Sequence, residues 1–179
     1  MGRGQATWHD GAMRSDVSLH PLDQALLKDL RRVAVADAEP REVMPPVGGP
    51  DGWTLERQAA FLRFHESRAL AVEPVETTFA VVVGERVVGA ARLCPMEEPA
   101  GAVEAGVWIG RSHRGAGVGG AVLKHLLDRA RAEGIDTVCV STAPENTAVR
   151  RLMTRMGVDL VHEGDVLTGW IDPAAVVQP

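Results

Sequence analysis

The chain has no tyrosine, three phenylalanines, two cysteines and, among 19 basic side chains, only two lysines, Lys28 and Lys124. Without tyrosine no phenol can act as an acid. Cys94 and Cys139 lie far apart and outside any CxxC or Cys/His spacing, which argues against a zinc site and leaves them as ordinary buried thiols. No metal is expected. No run approaches the roughly 18 apolar residues of a membrane span. The N-terminus lacks the apolar core of a signal peptide, and position 6 is Ala6, where a myristoylation signal needs Ser or Thr. These absences predict a cytoplasmic protein with no membrane partner. The net charge of −5 removes the basic surface that nucleic-acid binding requires.

What is present fits one ordinary domain: 179 residues, 45% hydrophobic and 24% charged. Residues 1–15 are polar, Gly-containing and aperiodic and read as a lead or expression scar. A strand over Val17 to Leu19 precedes Leu22, Leu26, Leu27, Leu30 and Val33, whose spacing predicts a helix from Asp23 to Ala36. Prolines and glycines make Glu39 to Gly52 a loop, and Thr54 can cap a second helix. The period then switches. Thr77–Val83 and Arg86–Leu93 flank Gly84-Glu85 as a hairpin. A loop over 94–102 leads to a strand over Val103–Ile109. Helices are expected over Val118–Glu133 and Glu145–Met156, and strands over Thr137–Ser141, Asp159–His162 and Val166–Ile171. The strand–helix–strand unit over 103–141 requires a parallel pair with a right-handed crossover, and the hairpin requires antiparallel pairing. The fold class is therefore α/β (α+β): a mixed, mostly antiparallel sheet with a central parallel pair and helices on both faces.

The richest segment is VEAGVWIGRSHRGAGVGGAVLKHLL. A strand ends at Ile109, Arg111, His113 and Arg114 follow, and Gly115, Gly117, Gly119 and Gly120 open a helix. Glycines bring backbone N–H groups close to a ligand, and the unpaired amides of a helix N-terminus form an anion site. A pyrophosphate is the natural guest; a tight turn with no ligand is the plain alternative. Gly115-x-Gly117-x-x-Gly120 also fits the dinucleotide fingerprint, but that motif needs an acid at the end of the next strand. Here that strand ends in Ser141-Thr142. No Lys-Ser or Lys-Thr follows the glycines, which excludes a P-loop.

Arg114-x-x-Gly117-x-Gly119, after a strand and opening a helix, resembles the cofactor motif of the GNAT acetyltransferases. ENTAVRRLMTRMGV, with Asn146, Ala148, Leu152 and Gly157, is similar to that family's N-x-x-A-x-x-L-Y-x-x-x-G-F. It departs at Met153, in place of tyrosine, and at Val158, in place of phenylalanine. The strand EAGVWI followed by RG resembles the branch that acetylates ribosomal proteins and small amines. The resemblance is motif-level over 103–158 and topological over 17–172. It implies one acetyltransferase domain over 16–173, with a lead over 1–15 and a tail over 174–179.

What the resemblance implies about chemistry is specific. Acetyl-CoA is the cosubstrate, its pyrophosphate held by the amides of Arg114, Gly115, Ala116, Gly117, Val118, Gly119 and Gly120. The pantetheine arm lies like a strand beside Val107, Trp108, Ile109 and Gly110, one of whose amides polarises the thioester carbonyl. A primary amine, on a small cationic molecule or a protein N-terminus, attacks directly, without a cysteine nucleophile. Glu104 is the candidate base, in a register one residue from the family's usual position at Val103; a solvated strand charge is its other reading. With Met153 in the family's tyrosine position, the thiolate leaves with water or Ser141 as proton source, and Met153 packs against the cofactor. Asn146 either hydrogen-bonds cofactor or acceptor or caps its helix. Asp37, Glu39, Glu42, Asp51 and Glu56, with Glu97 and Glu98, can form an acidic rim that steers cationic amines, or can be solubilising loop charges. A homodimer is allowed. The competing reading is a non-catalytic acyl-CoA-binding module on the same fold.

Overall fold

The computed structural model describes Arg14 and residues 16–176. The lead over 1–13, Ser15 and the last three residues of the expected tail lie outside the described residues. The elements run β1 (Val17–Pro21), α1 (Gln24–Asp37), α2 (Pro40–Val43), α3 (Leu55–Ala69), β2 (Thr77–Val83), β3 (Arg86–Pro95), β4 (Ala102–Ile109), α4 (Val118–Ala132), β5 (Thr137–Thr142), α5 (Thr147–Arg155), β6 (Leu160–Glu163) and β7 (Val166–Ile171). A 3₁₀ turn over Arg111–His113 precedes α4.

The expected elements form, with two additions. Inside the stretch expected to be all loop, Pro40 starts the one-turn helix α2. Its ends are tied because the Glu42 carboxylate accepts from the Glu39 amide at 2.8 Å. The 3₁₀ turn is the second addition. Both are shorter than any periodicity window can register.

The chain forms two compact units, and β3, β4 and α4 run through both. The first holds Arg14–Arg92 and Val107–Val122. Its strands follow the order β1-β2-β3-β4, with β1 antiparallel to β2 from Val17↔Val83 to Pro21↔Phe79. Its core gathers the periodic side of α1 with α3: Leu27, Leu30, Ala34 and Phe61 are completely buried. Asp23 caps α1 by accepting from the Leu26 amide at 2.8 Å, and Thr54 caps α3 through Arg57 N at 3.1 Å. Trp53 meets Phe61 edge-on at 5.9 Å and donates its indole N–H to Ala38 O at 2.8 Å.

The second unit holds Leu93–Gly106 and the chain from Leu123 onward. Its order is β4-β5-β7-β6. β4 and β5 are parallel, paired as Ala102↔Thr137, Val103↔Val138 and Glu104↔Cys139. β5–β7 and β7–β6 are antiparallel. The expected mixed sheet with a central parallel pair is therefore present. One face of this part carries Val138, Leu167 and Ile171, all buried. α5 lies against that face, since a Cβ on Gly169 would come 3.6 Å from Met153 Sδ. Among the described residues no helix is long and apolar enough to cross a membrane.

Candidate active site

The glycine turn belongs wholly to the first unit. Gly115 and Gly117 have φ of +74° and +80°, the left-handed region that only glycine adopts without strain. At Gly115 and Gly119 an added Cβ would meet nothing within 4 Å, so their Cα atoms border open space. The helical ladder of α4 starts with Ala121 N to Gly117 O at 3.2 Å, which leaves the amides of Val118, Gly119 and Gly120 without intrahelical acceptors.

The residues before the glycines are arranged differently. Gly110 N donates to Val88 O (2.8 Å), His113 N to Gly110 O (3.0 Å) and Arg114 N to Arg111 O (3.3 Å). Ser112 N donates to Asp37, 3.1 Å from either carboxylate oxygen, and the Ser112 hydroxyl donates at 2.5 Å. Arg114 Nε donates to Ile109 O at 2.8 Å. The amides of Gly110, Ser112, His113 and Arg114 thus have acceptors inside the protein, while those at the start of α4 have none in the helix.

Three acids hold this segment. Asp37 takes Ser112, Glu39 pairs with Arg111 at 2.9 Å, and Glu42 takes Arg114 at 3.2 and 3.3 Å. The Ser112 hydroxyl, aided by its amide and by Arg111 and His113, holds the Asp37 carboxyl below the usual range. Burial works against the charge of Glu42, but the Glu39 amide and Arg114 outweigh it and lower its pKa. Three of the acids expected on a steering rim, Asp37, Glu39 and Glu42, are instead engaged by Ser112, Arg111 and Arg114 of this segment. These partners lie more than 70 residues apart in the chain, so no local pattern marks the pairing.

The structure places β4's candidates by side chain. Trp108 packs on the first unit's core, and its indole Nε1 is buried without a partner. The Ile109 side chain is buried, and Val107 is 41% exposed. Gly89 passes so close to Trp108 O that no Cβ fits between them. What these residues offer a ligand is backbone. Arg14, inside the stretch read as a lead, lies with its stem beside Gly117 and its guanidinium on Asp16 at 2.8 Å. Nothing in that aperiodic stretch marks it.

The remaining candidates lie in the second unit. Paired residues share a face, so Glu104, Cys139, Ser141, Thr168 and Trp170 point the same way. Val103 points the opposite way beside Val138 and is buried. Ser141 Oγ is 3.8 Å from Cys139 Sγ. Burial pushes the Cys139 thiol up, and the charges of Glu104 and Glu163 push it further. Thr168 is 1% exposed with its hydroxyl unpartnered; Glu163 and Thr168 are the polar residues of this face that sequence reasoning missed. Met153 is completely buried on the other face, so Glu104 and Ser141 share one face of the sheet and Met153 lies on the opposite one. Asn146 caps α5, its side-chain oxygen accepting from Val149 N at 3.2 Å. No group of three or more His, Cys, Asp or Glu among the described residues could hold a metal ion.

Solved structures share this architecture. The dodecameric spermidine N-acetyltransferase of Vibrio cholerae aligns over 90% of this chain and 96% of its own, with TM-score 0.65 and 16% identity. RimL, a ribosomal L7/L12 alpha-N-protein acetyltransferase in complex with coenzyme A, aligns over 90% and 96%, with TM-score 0.68 and 14% identity. The GNAT domain of S. lividans PAT aligns over 87% and 90%, with TM-score 0.65 and 16% identity. No curated protein is similar to the chain in sequence. The family model of the acetyltransferase (GNAT) domain matches residues 17–159, and the chain belongs to that family of acetyl-CoA-dependent acyltransferases.

Proposed function

We propose that the protein transfers an acetyl group from acetyl-CoA to a primary amine, on a small cationic molecule or a protein N-terminus, by direct attack. The observation that carries this reading is the sorting of donors at the turn. The amides of Gly110, Ser112, His113 and Arg114 are consumed internally, and those of Val118, Gly119 and Gly120 stand at a helix N-terminus without intrahelical acceptors, beside open glycine Cα atoms, the arrangement that suits a pyrophosphate. Those three amides, with Gly115 to Gly117, would hold the phosphates of acetyl-CoA, which supplies the activated acyl group. Arg114 is tied to Ile109 O and Glu42, so it shapes the turn more than it reaches outward.

Direct attack is supported by Cys139. Burial, with the charges of Glu104 and Glu163, raises its pKa, which disfavours the thiolate that a covalent route through it would need. Glu104 takes the ammonium proton of the acceptor, and Ser141, on the same face, orders a water for that transfer. RimL acts on a protein N-terminus and the Vibrio cholerae protein on spermidine; the acceptor here belongs to this range of primary amines.

The test is a thermal-shift series with CoA, acetyl-CoA and NADH, beside a screen of polyamines and N-terminal peptides for released thiol. The two CoA species should raise Tm by mass action and NADH should not. Stabilisation by NADH alone would defeat the reading. The buried Met153, where the family resemblance expects tyrosine, favours the second reading, a binding module without catalysis. CoA stabilisation with no amine-dependent thiol release across the screen would establish it.

A further inference from the structure

We infer that Asp37, the last residue of α1, is a positioning residue for acetyl-CoA: it fixes the backbone entering the glycine turn so that the amides of Val118 to Gly120 face the phosphates. The inference rests on the acetyl-CoA reading above and names a residue outside the cofactor motif.

Three observations converge on it. The Asp37 carboxylate accepts from both the amide and the hydroxyl of Ser112. This gives one side chain command of the middle of the 3₁₀ turn, and hydrogen bonds to an ionised acceptor are the strong ones. Gly110 approaches Asp37 so closely that a Cβ would collide with the carboxylate. Gly110 itself has φ −55°, so its need for glycine comes from Asp37 and not from backbone conformation. Arg111 and His113 flank the carboxylate and help keep it ionised.

The alternative is that Asp37 merely stabilises the first unit. That differs in consequence. A structural residue changes Tm and leaves ligand affinity in the folded protein alone. A positioning residue changes the concentration of acetyl-CoA needed for half-saturation and leaves turnover at saturation and the amine KM in place.

The experiment uses the full chain with Asp37→Asn, Ser112→Ala and their combination. Asp29→Asn, an exposed acid on the same helix paired with Arg32, sets the baseline. Acetyl-CoA half-saturation is read from thermal shift and from the KM of thiol release with the best amine. Asp37→Asn and Ser112→Ala should each raise the acetyl-CoA value about tenfold, the scale of one hydrogen bond to a charged group. The combination should do little more than either alone, because both cut the same contact. Amine KM and kcat should stay within about twofold. Wild-type half-saturation in folded Asp37→Asn and Ser112→Ala overturns the inference and leaves the acetyl-CoA reading standing. A wild-type protein that CoA does not stabilise overturns both. If Asp37→Asn fails to fold, Ser112→Ala decides alone; if both fail, Asp37 is a folding residue and the inference falls.

Discussion

At the level of single residues, the four glycines of the turn do different work. Gly117 is required by its own backbone, with φ +80°, and its Cα lies close to Arg14. Gly119 sits within the first turn of α4, where a Cβ meets nothing. Gly119→Ala should therefore stabilise the free protein by roughly 0.5–1 kcal/mol, since alanine suits a helix better. If acetyl-CoA sits as proposed, it should also weaken CoA, because the new methyl would stand between the backbone and the phosphates. Gly117→Glu should abolish CoA-induced stabilisation and thiol release together, through strain and like charge. Calorimetry and thermal shift on the two variants check both. A Gly119→Ala protein that gains stability and keeps full CoA affinity would show that the phosphates lie elsewhere. The turn's glycines were legible in the sequence because their density beside arginine is rare. Asp37 was not, because its partner Ser112 is distant in the chain and brought near only by the fold.

At the level of elements, the segment after α1 behaves unlike a free loop. The Arg57 guanidinium, one turn into α3, donates to Val47 O (3.0 Å), Gly52 O (2.7 Å), Gly49 O (3.4 Å) and Pro50 O. One planar cation thus collects the carbonyls of a proline- and glycine-rich stretch that has no ladder of its own. If this stretch sets acceptor choice, Arg57→Ala should raise the amine KM several-fold with CoA half-saturation unchanged. Arg57→Lys should rescue little, since an ammonium cannot span the fork. Steady-state kinetics against both substrates separates the cases. Periodicity located α1 and the strands of the Gly84 hairpin to within a residue or two, and the start of α3 from its Thr54 cap, because long elements carry many matching positions. It missed α2 and the 3₁₀ turn, which are made by a proline, a capping box and distant acids rather than by an apolar stripe.

On the scale of the molecule, stability is tied to one buried histidine. His65 is 4% exposed, lies edge-on to Phe61 and Phe64, and has neither ring nitrogen hydrogen-bonded. Burial lowers its pKa to about 4 from 6.5; Arg92 adds to the shift, and Glu76 opposes it. Over that window the unfolded chain binds a proton that the folded chain refuses. Folding free energy should therefore hold above pH 6.5 and fall as the pH drops toward 4, by at most about 3 kcal/mol. Urea titrations from pH 7.5 to 4.5 on wild type and His65→Phe test this; the variant should lose most of the slope. The fold class was legible before any coordinates, since a β-α-β crossover beside a hairpin allows few sheets. The burial of His65 was not, because a lone histidine on a mixed helix reads equally well as surface.

The bracing of the 110–114 segment has a kinetic consequence. A loop that must order itself around its ligand delays association or makes it biphasic. Here the amides of Gly110, Ser112, His113 and Arg114 are already committed to Val88, Asp37, Gly110 and Arg111, so encounter and capture should be a single event. Stopped-flow mixing with CoA should give one exponential whose rate rises linearly with concentration, without the plateau that a preceding or following rearrangement imposes. Differences in affinity among acyl-CoA species should then reside in how long each stays.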